Sequence, residues 1–182
     1  MIQKTLVLLK PDAVERALVG KIIERFENAG LKIIGVKMVW VDKEFSKKHY
    51  AAHISKAFYN PLETFIVSGP VIAFVLEGIE AVELVRKIVG PTEPKSAAPG
   101  TIRGDFAHHS YKYADSKGIA IKNLIHASGT VEEAEIEVSN AKGEIGYANV
   151  LEVSSQYDLA FIKTNLRGSS LSLSSEVNTG DE

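Results

Sequence analysis

The feature that most constrains this chain is a rhythm. Short apolar, β-branched runs of strand length alternate with segments whose apolar residues recur at helical spacing. Residues 4–9 form the first run, which stops at Lys10-Pro11-Asp12, where proline lacks the N–H that a central strand needs; strand gives way to turn. Val19, Ile22, Ile23 and Phe26 then fall at helical spacing across Val19 to Ala29, with Gly30 placed as a C-terminal cap. Leu31 to Val41 is apolar and free of proline, a second strand. Lys43 to Val67 mixes charge with aromatics and reads as two short helices separated by a turn at Asn60-Pro61. Pro70 to Leu76 is a third strand ending at Gly78. Ile79 to Val89 returns to helical spacing through Val82, Leu84, Val85 and Ile88. Prolines and glycines then punctuate residues 90–105, the mark of an ordered loop, and loops of that length usually carry function. Ile119 to Ile125 reads as a fourth strand and Val131 to Val138 as a helix.

The order strand, helix, strand, strand, helix, strand predicts an α+β, ferredoxin-like βαββαβ fold: a four-stranded antiparallel sheet covered by helices on one face. With 182 residues, 45% of them hydrophobic, the chain suffices for one substantial core. A net charge of -2 offers no broad positive field, so no nucleic-acid partner is expected, and any anion site must be local. The absence of cysteine excludes disulfides, a thiolate nucleophile and cysteine-ligated metal, and suits a cytoplasmic setting. No apolar run approaches the roughly 18 residues of a membrane span, so no membrane association is expected. The C-terminal end is rich in Ser and Gly, finishes acidic, and reads as a flexible tail.

Two segments carry chemistry. In Gly100-Thr101-Ile102-Arg103-Gly104-Asp105, two glycines let the backbone pass close to a ligand, and Arg103 supplies a planar fork suited to phosphate oxygens. The same arginine would equally suit a structural pair with Asp105. No Gly-x-x-x-x-Gly-Lys-Ser/Thr occurs, so a P-loop is not the phosphate site. In Asn123-Leu124-Ile125-His126-Ala127-Ser128-Gly129 a histidine ends an apolar run just before a turn. By itself this reads as a partly buried histidine at the edge of the core before it reads as a catalytic one. Glu132, Glu133, Glu135 and Glu137 follow, and a carboxylate on one ring nitrogen would fix the tautomer and leave the other nitrogen to attack.

Taken together and in order, Lys10-Pro11-Asp12, Gly100 to Asp105 and Asn123 to Ser128 resemble the signatures of the nucleoside diphosphate kinase family, over about Lys4 to Val138. The resemblance implies ping-pong transfer of a γ-phosphate from a nucleoside triphosphate to a nucleoside diphosphate. His126 would accept the phosphate, Glu137 would orient it, and Ser128 would be its hydroxyl neighbour. Lys10, Tyr50, Arg86, Thr92 and Arg103 match the family's phosphate-binding positions, with Asn123 near the sugar. Phe58 and Leu62 match the base clamp, where stacking tolerates any base. Mg2+ would ride on the substrate phosphates. Without the resemblance, Phe58 reads as a core aromatic, Lys10 as a solvated strand end and Tyr50 as a helix-packing residue. His49, His53, His108 and His109 are left as structural or surface residues. A different class of function on the same frame is a catalytically silent nucleotide-binding or scaffold module.

The sequence departs from the family between Phe106 and Asn123, a segment longer than in the family's shorter members and similar to archaeal ones, which leaves one base-clamping position open. Gly129 stands where many members have aspartate. A kinase domain is expected over residues 1–138, followed by an atypical extension over 139–182. The resemblance implies a homo-oligomer, the family's hexamer first and a smaller dimer-based assembly second.

Overall fold

The computed structural model of this chain describes residues 1–44, 46 and 59–135. The expected second and third strands and the helices expected over Val19 to Ala29 and Ile79 to Val89 are met closely. Strand β1 spans Ile2–Leu9, β2 Lys32–Trp40 and β3 Pro70–Ile79. Helix α1 is Pro11–Glu15, α2 Val19–Asn28, α3 Tyr59–Ile66 and α4 Ala81–Val89. A 3-10 turn at Pro94–Ser96 is followed by α5 (Ile102–Phe106), α6 (Tyr111–Lys117) and β4 (Ile125–Ala127). Residues 131–135 are helical. The four strands form one sheet in the order β2-β3-β1-β4, and every pairing is antiparallel, as the βαββαβ reading requires.

Both faces of this sheet are covered, where the sequence suggested helices on one. Leu6 to Leu9 on the central strand β1 are all essentially buried, and side chains alternate along a strand. Val7 and Leu9 join Ile22 and Phe26 of α2 and Val85 of α4 in one apolar cluster. Leu6 and Leu8 face the other way, against Tyr59, Phe65 and Ile66 of α3. Each such side chain contributes about 1.5–3 kcal/mol on burial.

Four local expectations change. Lys10-Pro11-Asp12 opens α1 rather than a plain turn, because proline at the first helical position loses no hydrogen bond there. For the same reason Asn60-Pro61 lies in the first turn of α3 instead of separating two helices. The preceding half of that segment, residues 45 and 47–58, lies outside the described residues. The fourth strand is only three residues long: β4 pairs with β1 no further than Leu9↔Ile125, since Pro11 ends the ladder on the other side. Leu124, just before it, sits in the left-handed region at φ 71 and breaks the extended run. Residues 119–122 turn instead toward a cleft. Finally, the punctuated loop contains the 3-10 turn and the start of α5, and the longer segment after Phe106 folds into α6. The expected tail lies outside the described residues.

Candidate functional site

The geometry begins with register. Ile125 and Ala127 belong to the apolar cluster beneath α2 and α4. His126 lies between them, paired with Leu8, so its side chain projects to the opposite face of the sheet. That is the face of Leu8 and α3. The ring is deeply set, with the residue 2% exposed.

Two arginines grip the backbone on either side of it. Arg103 donates from Nη2 to the carbonyl of Ile125 at 2.5 Å, and Arg86 from Nη1 to the carbonyl of Ala127 at 3.5 Å. Arg103 is 3% exposed and also donates to the carbonyls of Gly90 (3.0 Å) and Asn123 (3.2 Å). It does not form the structural pair with Asp105: that carboxylate takes Arg25 and the Gly100 N–H, and both hold its pKa down, the backbone bond first. Gly104 makes its close approach to its own loop, because a Cβ there would stand 2.0 Å from the Ala98 carbonyl oxygen.

Asn123 is the hub of the floor. Fully buried, it accepts from Lys10 Nζ at 2.9 Å and donates to the Thr92 carbonyl at 3.0 Å. The side chains of Lys10 and Asn123, the backbone of Thr92 and the guanidinium of Arg103 are therefore one hydrogen-bonded unit. Lys10 is 4% exposed, which replaces the picture of a solvated strand end. Asp12, which sequence reasoning quoted but gave no role, is also buried and accepts the Leu124 N–H at 3.1 Å, holding the strained residue next to Asn123. Burial pushes its carboxyl above the ordinary value; attraction to Lys10 and the Leu124 bond pull the other way without prevailing. The signal for it was present, since it completes the first motif.

Ser128 is wholly buried and tied to β1, its Oγ accepting from the Leu6 N–H at 3.2 Å and lying 3.3 Å from the Leu6 carbonyl oxygen. At the start of the helix over residues 131–135, Thr130 Oγ1 accepts from the Glu133 N–H, while Glu133 accepts from Gly129 N at 2.6 Å. These reciprocal bonds approximate a capping box. Glycine at 129 leaves the space this needs: a Cβ there would lie 2.6 Å from the Glu133 carboxylate.

Beside the floor opens a cleft of about 350 Å3, within the size range of small-molecule sites. Lys10 lies on its lining, Leu62 and Phe65 of α3 form one wall, and Tyr111, Ala114 and Asp115 of α6 contribute to the other. The α6 wall was not foreseen, because its residues sit in the segment whose pattern departs from the family. Tyr50, Phe58 and Glu137, with His49 and His53, lie outside the described residues. His109 is half-buried, and its Nδ1 accepts from the Lys122 N–H at 3.2 Å, a structural use.

Comparison with known proteins bears on this arrangement. The family model described as nucleoside diphosphate kinase matches residues 3–141. A nucleoside diphosphate kinase of Borreliella burgdorferi is 49% identical over 143 residues, covering 76% of this chain and 86% of that protein. One from the archaeon Pyrococcus furiosus is 52% identical over 138 residues, covering 76% and 81%. Among solved structures, a transition-state mimic of the Borrelia burgdorferi enzyme with bound vanadate and ADP superposes with a TM-score of 0.70 at 44% identity, covering 86% of this chain and 94% of that one.

Proposed function

This chain belongs to the nucleoside diphosphate kinase family, and from that premise we propose that it moves the terminal phosphoryl group of a nucleoside triphosphate onto a nucleoside diphosphate by way of His126. The observation that carries the reading is the pair of guanidinium groups on the carbonyls flanking His126, that of Arg103 being joined through Asn123 to Lys10. Phosphoryl transfer needs in-line positioning and cationic stabilisation of charge spreading over the phosphate oxygens, and a preorganised arginine and lysine supply both.

In the first half-reaction a neutral ring nitrogen of His126 attacks the γ-phosphorus. The bond to the β–γ bridging oxygen breaks, and a diphosphate leaves. In the second, a β-phosphate oxygen of the acceptor attacks the same phosphorus and the N–P bond breaks, restoring the imidazole. Glu137 orients the ring, Ser128 neighbours it, and Tyr50, Thr92, Arg86 and Arg103 take phosphate oxygens. Asn123 contacts the sugar, while Phe58 and Leu62 hold the base. Burial of His126, which is 2% exposed, favours the N–P bond by shielding it from water. Mg2+ would be bound through the substrate phosphates, where it would neutralise charge.

The working form is a homo-oligomer, with a hexamer the first expectation. In support, β2 is an edge strand, and Val36, Met38 and Trp40, alternate residues on one of its faces, are 60%, 58% and 67% exposed. An exposed apolar edge of this kind invites pairing. Light scattering on the full chain, on Val36→Lys and on a chain ending at Val138 measures the assembly. Among the described residues no helix is long and apolar enough to cross a membrane. A cytoplasmic setting remains part of this reading.

The central test is chemical. Incubation with γ-labelled ATP is expected to give an acid-labile, alkali-stable phosphoprotein that unlabelled diphosphate discharges, and His126→Ala is expected to abolish the label. A variant that still takes label would falsify the assignment. Label that no diphosphate removes would point to a silent nucleotide-binding module instead.

A further inference from the structure

The cleft wall built by α6 gives this chain a device that the stacking clamp lacks. We infer that Asp115 selects among nucleobases by accepting hydrogen bonds from the base edge, favouring guanine; the inference rests on the kinase reading above.

Asp115 and Lys10 are the charged side chains on the described lining of the cleft. They sit in opposite settings: Lys10 is 4% exposed and bonded to the buried Asn123, whereas Asp115 is exposed on the surface helix. A phosphate is drawn to the first and repelled by the second. A nucleotide whose phosphates lie toward Lys10 and His126 therefore presents its base toward Asp115, among the apolar lining residues Leu62, Phe65, Ala114 and Ala120. Apolar walls hold any flat ring alike. A carboxylate at their edge does not, since it accepts hydrogen bonds and donates none.

The helix that carries it is fixed. Glu93 accepts the Tyr111 N–H at 2.9 Å, Lys95 donates to the His109 carbonyl at 3.0 Å, and Ser110 caps the first turn by accepting the Tyr113 N–H at 3.2 Å. Gly118, at φ 61, closes the other end, its N–H bonded back to the Asp115 carbonyl. The Asp115 carboxylate itself makes no hydrogen bond or ion pair among the described residues, so accepting from a ligand breaks none there. Guanine offers it two adjacent donors, N1–H and the exocyclic amine, matched to two carboxylate oxygens. Adenine and cytosine offer one amine beside an acceptor. Uracil and thymine offer one N–H flanked by two carbonyls, which the carboxylate repels. The order of preference is guanine, then adenine and cytosine, then uracil and thymine.

The experiment measures kcat/KM for GDP, ADP, CDP, UDP and dGDP as acceptors with ATP as donor, for the wild-type chain, Asp115→Ala and Asp115→Asn. The expected wild-type preference for GDP over UDP is about tenfold, the low end for a bidentate base contact at an exposed site. It is expected to collapse to within about twofold in both variants, through KM for GDP, because an amide offers guanine one acceptor where the carboxylate offered two. The side chain is exposed and makes no hydrogen bond or ion pair among the described residues, so both variants are expected to melt with the wild type. A wild type indifferent to the base overturns the inference, as does a variant that keeps the wild-type ratio. A loss that follows the 2′-hydroxyl, separating GDP from dGDP rather than GDP from UDP, reassigns Asp115 to the sugar and overturns it too. A wild-type chain that forms no phosphoprotein fails at the kinase reading and takes this inference with it; one that turns over every diphosphate equally fails here alone.

Discussion

The two arginines beside His126 hold neighbouring carbonyls in unlike ways. Arg103 is 3% exposed and spends donors on three backbone carbonyls at 2.5, 3.0 and 3.2 Å. Arg86 is exposed, on α4, and its link to Ala127 stretches to 3.5 Å. One is a structural member, tied to the backbone at Gly90, Asn123 and Ile125. The other is a side chain still free to move. The difference separates two ways of presenting positive charge: a guanidinium ordered during folding costs nothing further to position at the moment of transfer, while a loosely held one can follow the phosphate as it moves between two partners.

Removing Arg103 is expected to have the larger effect. Arg103→Ala would leave the buried carbonyls of Asn123 and Ile125, and that of Gly90, without this donor, a loss on the order of 3–5 kcal/mol of stability together with activity. Arg103→Lys should rescue little, since a single ammonium on a flexible stem cannot reproduce the fork. Thermal melts and turnover of the two variants test this. A melting temperature unchanged in Arg103→Ala would mean that the three bonds carry no weight.

Arg86→Ala is the complementary case. With its one long bond, its removal should leave the melting temperature within a few degrees, while the phosphoryl-transfer rate falls about a hundredfold, the scale for losing one donor to developing charge. If instead Arg86→Ala melts as early as Arg103→Ala, the contrast between a built-in and a mobile cation is lost.

This contrast also marks what the sequence could disclose. The strands and amphipathic helices were legible because Val19, Ile22 and Phe26, or Leu6 to Leu9, each obey a local period that burial enforces. Arg103 and His126 were legible as members of motifs. Their bonds were not, because Arg103 reaches residues 13, 20 and 22 positions away, a matter of tertiary placement. Ile119 to Ile125 looked like a strand for the same reason: its composition is strand-like, but Pro11 on the partner side and Leu124 at φ 71 limit the ladder, which no local pattern records. The α6 wall was hidden in a polar stretch with no apolar period, whose helix depends on the Ser110 cap and the anchor from Glu93.

The smallest expected effect concerns Asp12, the acid that belongs to the ordered side of this comparison. Burial raises its pKa above the ordinary carboxylate value. Between that value and the higher folded one, the folded chain retains a proton that the unfolded chain has lost, so stability from this group falls as pH rises through the window and stays lowered above it. Asn at position 12 keeps an acceptor for the Leu124 N–H but has nothing to ionise. Relative to wild type, Asp12→Asn should therefore gain stability as pH is raised across the window, then level off. Subtracting the two pH profiles cancels the other shifted acids. Asp105, held down first by the Gly100 N–H and then by Arg25, and Glu93, held down first by Ser96, act in the opposite sense, supporting the fold above the ordinary value and losing that support with acid, equally in both proteins. Denaturant unfolding of the pair across the acid range reads the difference directly. A difference that does not change with pH, or that favours wild type as pH rises, would show that Lys10 and the Leu124 bond outweigh desolvation, and that the charge on this side of the site is stabilised rather than tolerated.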